Sequence, residues 1–193
     1  MLRSLLVRAV LVALVPVVAV RAQASPSPVS STIVVLVRHA EKATEPANDP
    51  ALSPAGVVRG EVLAAVLADA RIDAVIVTPT TRTRSTAAPL ALRASLAPEE
   101  MSPRGGVPAH AAAVAQRIRT GLAGRHVLVV GHGNTIPAIV HALGGPLMPD
   151  LCDAQYSNLY VIEITAAGQV SLVRSTYGAP DAVDAGSCVS TKK

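Results

Sequence analysis

Tryptophan and phenylalanine are absent from the 193 residues, and three tyrosines make up the whole Phe, Trp and Tyr complement. Proteins that hold single-stranded nucleic acid stack bases on such rings, so nucleic acid is not an expected partner. Excess charge is lacking as well. The formal net charge is +4, but Arg3, Arg8 and Arg21 all fall within the first 24 residues; without them the count is 14 basic against 13 acidic side chains. A nearly neutral chain offers no electrostatic ground for nucleic-acid or anionic-surface binding.

Long hydrophobic runs are also missing, with one short exception. Ala9 to Val20 is a 12-residue apolar segment preceded by Arg3 and Arg8 and followed by Ala22-Gln23-Ala24, the pattern of a secretory signal peptide with cleavage expected near Ala24. As a helix the segment reaches only about 18 Å against a hydrocarbon core of roughly 30 Å, so no stable membrane anchor is expected. The mature protein is expected to be secreted or periplasmic. Cysteine is scarce: there are two, Cys152 and Cys188. In an oxidising compartment an even pair suggests a disulfide, closing a loop of about 36 residues and contributing roughly 3 to 4 kcal/mol. The organisation expected is a signal peptide over 1–24, a flexible lead over 25–31, one domain over 32–176 and a tail over 177–193 tied back by that bridge.

What is present is alternation of greasy strands with helices. Ile33 to Val37 is a run of five apolar residues, four of them β-branched, without polar interruption, as in a strand buried on both faces of a parallel sheet. Ser53 reads as an N-cap with Pro54 at the first helical position, and the helix should run to about Ala70. A second strand is expected over Ala74 to Val77, and a helix from about Thr81 to Leu96. A weak extended stretch lies between Pro98 and Pro103, and an Ala-rich helix spans Ala109 to Leu122, ended by Gly124. The run HVLVVGHGN supplies the third strong strand, followed by a helix from about Thr135 to Leu143. LYVIEIT and VSLVRST, separated by AAGQ, read as an antiparallel hairpin at the sheet margin. The fold class is therefore α/β: a three-layer sandwich, mostly parallel sheet with helices on both faces. Nothing in the patterning specifies an oligomeric state.

Each strong strand ends in cationic or histidine chemistry: VRHAEK, VTPTTRTRSTA and VGHGNT. In a parallel sheet the carboxyl ends lie along one edge, where ligands bind. Arg38, His39, Arg82 or Arg84, and His132 can thus share one pocket. Paired arginines hold phosphate by planar, charge-assisted hydrogen bonds. With no acidic cluster to offset the cations, a divalent metal would be repelled; no metal and no organic cofactor are expected. The same cations keep an imidazole neutral. A neutral histidine facing a clamped phosphoryl group is a nucleophile, and a second one can hydrogen-bond the equatorial oxygens during in-line transfer.

These three motifs, in this order, resemble those of the histidine phosphatase superfamily, with its phosphoglycerate mutase-like fold, and VRHAEK is similar to the motif of its small secreted branch. The resemblance spans roughly Ile33 to Ser175. It implies His39 as the nucleophile that becomes phosphohistidine and Arg38 as its phosphate-binding neighbour. It implies Arg82, in preference to Arg84, as the second phosphate-binding arginine, and His132 as the second pocket histidine. Gly133 and Asn134 fall where backbone amides at a helix start can face the phosphate.

The family commonly adds a carboxylic acid that protonates the leaving alcohol. No residue here matches that role cleanly: Glu99, Glu100, Glu41 and His110 are candidates, and Lys42 is a candidate pocket cation. His110, His126 and His141 taken singly read as ordinary satisfied or exposed imidazoles, and Asp153 and Tyr156 as a pocket wall or plain loop polarity. The expected activity is hydrolysis of phosphomonoesters or related phosphorylated small molecules, metal-independent and through a phosphohistidine. A phosphoglycerate mutase-type transfer and a noncatalytic phospholigand-binding module are the alternatives. The loops at Ala40–Ser53 and Pro98–Pro108 look too short for the closing insertions of a mutase.

Overall fold

The computed structural model describes residues 30–182. The expected signal peptide, most of the lead, and Cys188 with its bridge to Cys152 lie outside the described residues. Six strands and four helices follow in the order β1 (Thr32–Arg38), α1 (Pro54–Val66), β2 (Ala74–Val77), α2 (Thr81–Arg93), β3 (Glu99–Glu100), α3 (Val107–Gly121), β4 (His126–Gly131), α4 (Thr135–Ala142), β5 (Asn158–Ile164) and β6 (Val170–Thr176). They form one sheet in the order β3-β2-β4-β1-β5-β6. The first four strands in sequence are mutually parallel where they pair, and β5 is antiparallel to both β1 and β6. This is the mostly parallel α/β sandwich with a marginal hairpin that the patterning implies.

The apolar strands are explained by cover on both faces. Val34, Leu36, Val127 and Val129 pack with Val114 and Ile118 of α3 and Ile136 and Ile139 of α4. The alternate positions Val35, Val37, Leu128 and Val130 pack with Leu63 of α1 and Leu90 of α2. Period-two side-chain alternation therefore sends Val34 to Val37 by turns into one core or the other, and Leu36 and Val37 are fully buried.

Three boundaries differ from the sequence expectation. Helix α1 stops at Val66, not Ala70, because the chain tightens into a turn in which Ala68 and Ala70 donate to carbonyls three residues back and Arg71 enters the left-handed region (φ 51°). Leu67 and Ile72 remain in the core, so the apolar periodicity runs past the end of the helix and conceals it. Helix α2 ends at Arg93, before Ser95 takes a left-handed backbone (φ 53°). Helix α3 begins at Val107, since Pro108 needs no amide partner in a first turn. At the start of α1, Ser53 Oγ accepts from the Gly56 amide at 3.2 Å. A Cβ on Gly56 would collide with the Glu41 backbone carbonyl; this close approach seats α1 against the loop that leaves β1.

Candidate active site

The carboxyl ends of β1, β2 and β4 open into a cavity of about 1340 Å³ lined by Arg38, His39, Lys42, Arg82, His132, Gly133 and Asn134, among others. The fold thus brings together the residues that the three motifs supply. Arg38 is the last residue of β1, and β1–β4 register sets it opposite Gly131. His39 follows, its amide donating to the Gly131 carbonyl at 2.9 Å. His132 follows β4, and Arg82 lies in the first turn of α2.

His39 is 3% exposed. Its Nδ1 lies 2.8 Å from the Ala40 carbonyl oxygen. A carbonyl only accepts, so Nδ1 carries the proton and the lone pair is on Nε2. Burial, with repulsion from Arg38, His132 and Arg82, pushes the imidazole down to about 3. The His132 ring stands 5.4 Å away, centroid to centroid, edge-on at 66°. Burial and the charges of Arg82 and Arg38 push it down to about 4. Its Nδ1 is 3.5 Å from Arg82 Nη2, a donor, and its Nε2 is 2.8 Å from Thr78 Oγ1. These partners favour the tautomer with the proton on Nε2, donated to Thr78, and Thr78 is in turn fixed by Thr83 at 3.1 Å.

Both arginines are held by groups that leave part of the guanidinium uncommitted. Arg38 donates through Nη1 to the Cys152 carbonyl and through Nη2 to Asp153 at 3.3 Å, and lies over the Tyr156 ring at 4.5 Å. Arg82 approaches Asp49 at 3.7 Å. The Nε atoms of Arg38 and Arg82 are buried without a hydrogen-bond partner among the described residues. Asp49 also accepts from the Thr81 amide at 2.9 Å and the Thr81 hydroxyl at 2.7 Å. Those bonds, first the hydroxyl, hold its carboxyl below the usual range. Arg84, by contrast, is exposed and paired with Glu100 at 3.0 Å.

Gly133 must be glycine for packing: a Cβ would sit 2.8 Å from the Leu151 carbonyl oxygen. Asn134 is the N-cap of α4 but makes no side-chain cap bond. Lys42 is exposed on the cavity wall.

The candidate acids are elsewhere. Glu41 turns from the cavity to make a bidentate pair with the 4%-exposed Arg59, at 2.7 Å to Nη2. Glu99 is paired with Arg117 at 2.9 Å, and Glu100 with Arg84. His110 is buried in the first turn of α3, its Nδ1 unpartnered among the described residues; burial lowers its pKa, and its charge is felt at His132. None of these four lines the cavity; the carboxylates that do are Asp150 and Asp153.

Several contributors had a weak signal or none. Tyr156, a wall residue in sequence, is tilted 6.1 Å from the His39 ring and stacks on Arg38. Asp181 accepts from the Tyr156 and Ser157 amides and the Ser157 hydroxyl, each at 2.8 Å. It thereby pins the loop that grips Arg38. Thr86 Oγ1 accepts from the Ala40 amide at 2.9 Å, tying the residue after His39 to α2. The run of threonines beside Arg82 was the available clue for Thr78, Thr83 and Thr86; Asp49 and Asp181 act from distant loops. Among the described residues no group of three or more His, Cys, Asp or Glu side chains is disposed to hold a metal ion, and no helix is long and apolar enough to cross a membrane.

Residues 34–104 match the family model described as histidine phosphatase superfamily (branch 1). The segment carrying Arg38, His39 and Arg82 therefore matches that superfamily's model, in agreement with the resemblance read from the motifs. His132 lies beyond the matched residues and is joined to them by the sheet. Among solved structures, the SixA protein of Nakamurella multipartitia is 23% identical, with TM-score 0.58 over 81% of this chain and 100% of its own. A protein histidine phosphatase SixA complexed with tungstate is 21% identical, with TM-score 0.59 over 75% and 96%. Mycobacterial glucosyl-3-phosphoglycerate phosphatase is 14% identical, with TM-score 0.59 over 78% and 100%. These likenesses establish a shared phosphoglycerate mutase-like fold. No curated protein matches the sequence.

Proposed function

We propose that this protein is a metal-independent phosphohydrolase that acts on phosphorylated small molecules through a phosphohistidine at His39. The observation that carries it is the pairing of two neutral imidazoles, buried His39 and half-buried His132, 5.4 Å apart with two guanidiniums on the same cavity. Arg38 and Arg82 clamp the equatorial oxygens of a phosphoryl group. The Ala40 carbonyl holds the Nδ1 proton of His39, so the Nε2 lone pair attacks phosphorus in line while the bond to the leaving oxygen breaks. A bound dianion offsets the repulsion that His132 feels from Arg82 and Arg38, so protonated His132 becomes a donor to the charge that develops in transfer. Water then cleaves the phosphorus–nitrogen bond and returns His39 to its neutral form. The structural neighbours include a protein histidine phosphatase complexed with tungstate and a mycobacterial glucosyl-3-phosphoglycerate phosphatase in complex with inorganic phosphate, which supports a phosphorylated ligand for this cavity.

Because Glu41, Glu99 and Glu100 are committed to arginines away from the cavity, the chemistry favours leaving groups that depart without a proton from a buried carboxylic acid. Export by the first 24 residues, and membership of the small secreted branch, belong to the same proposal and rest on the sequence alone.

The test is phosphate release from aryl and alkyl phosphates in chelator. Turnover should persist without divalent ions, favour the aryl esters and be inhibited by vanadate, and His39→Ala should lose at least about 10³-fold in kcat. Ligand binding without turnover in the wild type would instead support the binding-module alternative.

A further inference from the structure

The cavity is far larger than a phosphoryl group requires, and it continues from the arginine clamp across β5 to β6. Strand register lays out its floor: Tyr160 pairs with Leu36 on one side and with Arg174 on the other. Arg38, two residues beyond Leu36, shares their face of the sheet, because alternate residues of a strand point the same way. Asn158, Tyr160 and Arg174 all line the cavity with Arg38. Tyr160 is 6% exposed; burial raises its phenol pKa while Arg174 opposes the rise, so the guanidinium charge is felt at the cavity floor.

Arg174 differs from the other arginines on this cavity. Arg38 and Arg82 each have a carboxylate within 4 Å, as do the surface residues Arg84, Arg93, Arg117 and Arg125. Among the described residues no carboxylate oxygen lies that close to Arg174; Asp150, also on the wall, is not paired with it. A guanidinium left uncompensated beside a phosphoryl clamp makes that lobe of the cavity attractive to an anion. Two inter-strand spacings put its backbone about 10 Å from that of Leu36.

We propose that Arg174 forms a second anion subsite, so that the preferred substrates are organic phosphates whose leaving group carries a further anionic substituent on the order of 10 Å from phosphorus. This rests on the proposed phosphatase reading and specifies its substrate class. The phosphoryl group occupies the Arg38–Arg82 end, the body of the leaving group lies along Tyr160, Met148 and Leu151, and its distal charge meets Arg174.

Calorimetric titration with 4′-carboxybiphenyl-4-ylphosphonate and with its methyl ester tests the subsite without needing turnover. The wild type should bind the acid about tenfold more tightly than the ester, Arg174→Gln should abolish that preference, and Arg174→Lys should retain most of it. An acid-to-ester affinity ratio that is the same within twofold in all three proteins would overturn the proposal. The corresponding phosphate esters, assayed in parallel, separate the two readings. An Arg174-dependent affinity difference with no phosphate released would leave the subsite standing and remove the phosphatase.

Discussion

The Nδ1 of His39 stands 2.8 Å from the carbonyl oxygen of its own neighbour, Ala40. That single hydrogen bond chooses the tautomer and leaves Nε2 unprotonated. Thr86 holds the Ala40 amide in turn, so the orientation of the imidazole is set by α2, which also carries Arg82.

The two pocket imidazoles should stay neutral well into acid. With His39 pushed down to about 3 and His132 to about 4, histidine-labelled NMR should show neither ring titrating between pH 8 and pH 5 in the free protein. Their folded pKa values lie below the ordinary histidine value of 6.5. The unfolded chain therefore binds more protons between those limits, and stability falls as pH drops from 6.5 towards 4. The slope is at most about 1.4 kcal/mol per pH unit for each ring. Chemical denaturation across pH 4 to 7 measures it; stability that rises on acidification would contradict the assignment.

Glu41 serves the fold. Its bidentate pair with buried Arg59 is completed by Arg59 donating to the Tyr177 carbonyl at 2.9 Å and the Ala179 carbonyl at 3.0 Å. Glu41→Gln should lower stability by about 1 to 3 kcal/mol while kcat, measured where the variant is folded, changes less than about threefold. A thousandfold loss of kcat with normal stability would restore Glu41 as an acid.

Asp181 is a positioning residue for Arg38. Removing its carboxylate with Asp181→Ala frees the Tyr156 and Ser157 amides and loosens the loop whose Cys152 carbonyl and Tyr156 ring hold the guanidinium. Affinity for vanadate should fall about ten- to a hundredfold, and Asp181→Asn, which still accepts through its amide oxygen, should recover most of it. A purely structural role would lower the melting temperature in both variants and leave vanadate affinity unchanged.

Arg82 and Arg84 are two residues apart and should differ sharply. Arg82→Ala removes a clamp on the cavity and should cost about 10²- to 10³-fold in kcat/KM. Arg84→Ala breaks an exposed pair worth about 0 to 1 kcal/mol and should leave kcat/KM within about twofold. Steady-state kinetics on an aryl phosphate distinguishes them, and equal losses would undo the choice between the two.

Much of this was legible in the chain, for identifiable reasons. A strand apolar at every position, such as Ile33 to Val37, demands cover on both faces, and parallel connectivity then forces Arg38, His39 and His132 to one edge. Helix ends were less legible where apolar packing outlasts the helix, as at Leu67 and Ile72. The environment of the clamp was legible only in part: Asp153 and Tyr156 could be read as a pocket wall, but their contacts with Arg38 could not. Asp49, Tyr156 and Asp181 reach the site through loops whose paths depend on tertiary contacts, and no local spacing records that Glu41 faces Arg59 instead of the cavity.

Alkaline-quench mass spectrometry of the protein mixed with an aryl phosphate, with digestion and separation kept at high pH, tests the central claim most directly. The account predicts one phosphoryl group on the peptide containing His39, labile to acid and stable to alkali, absent from His39→Ala and accumulating in step with the burst of aryl alcohol. A wild-type enzyme that turns over in chelator with no phosphorylated His39 at any quench time would contradict it.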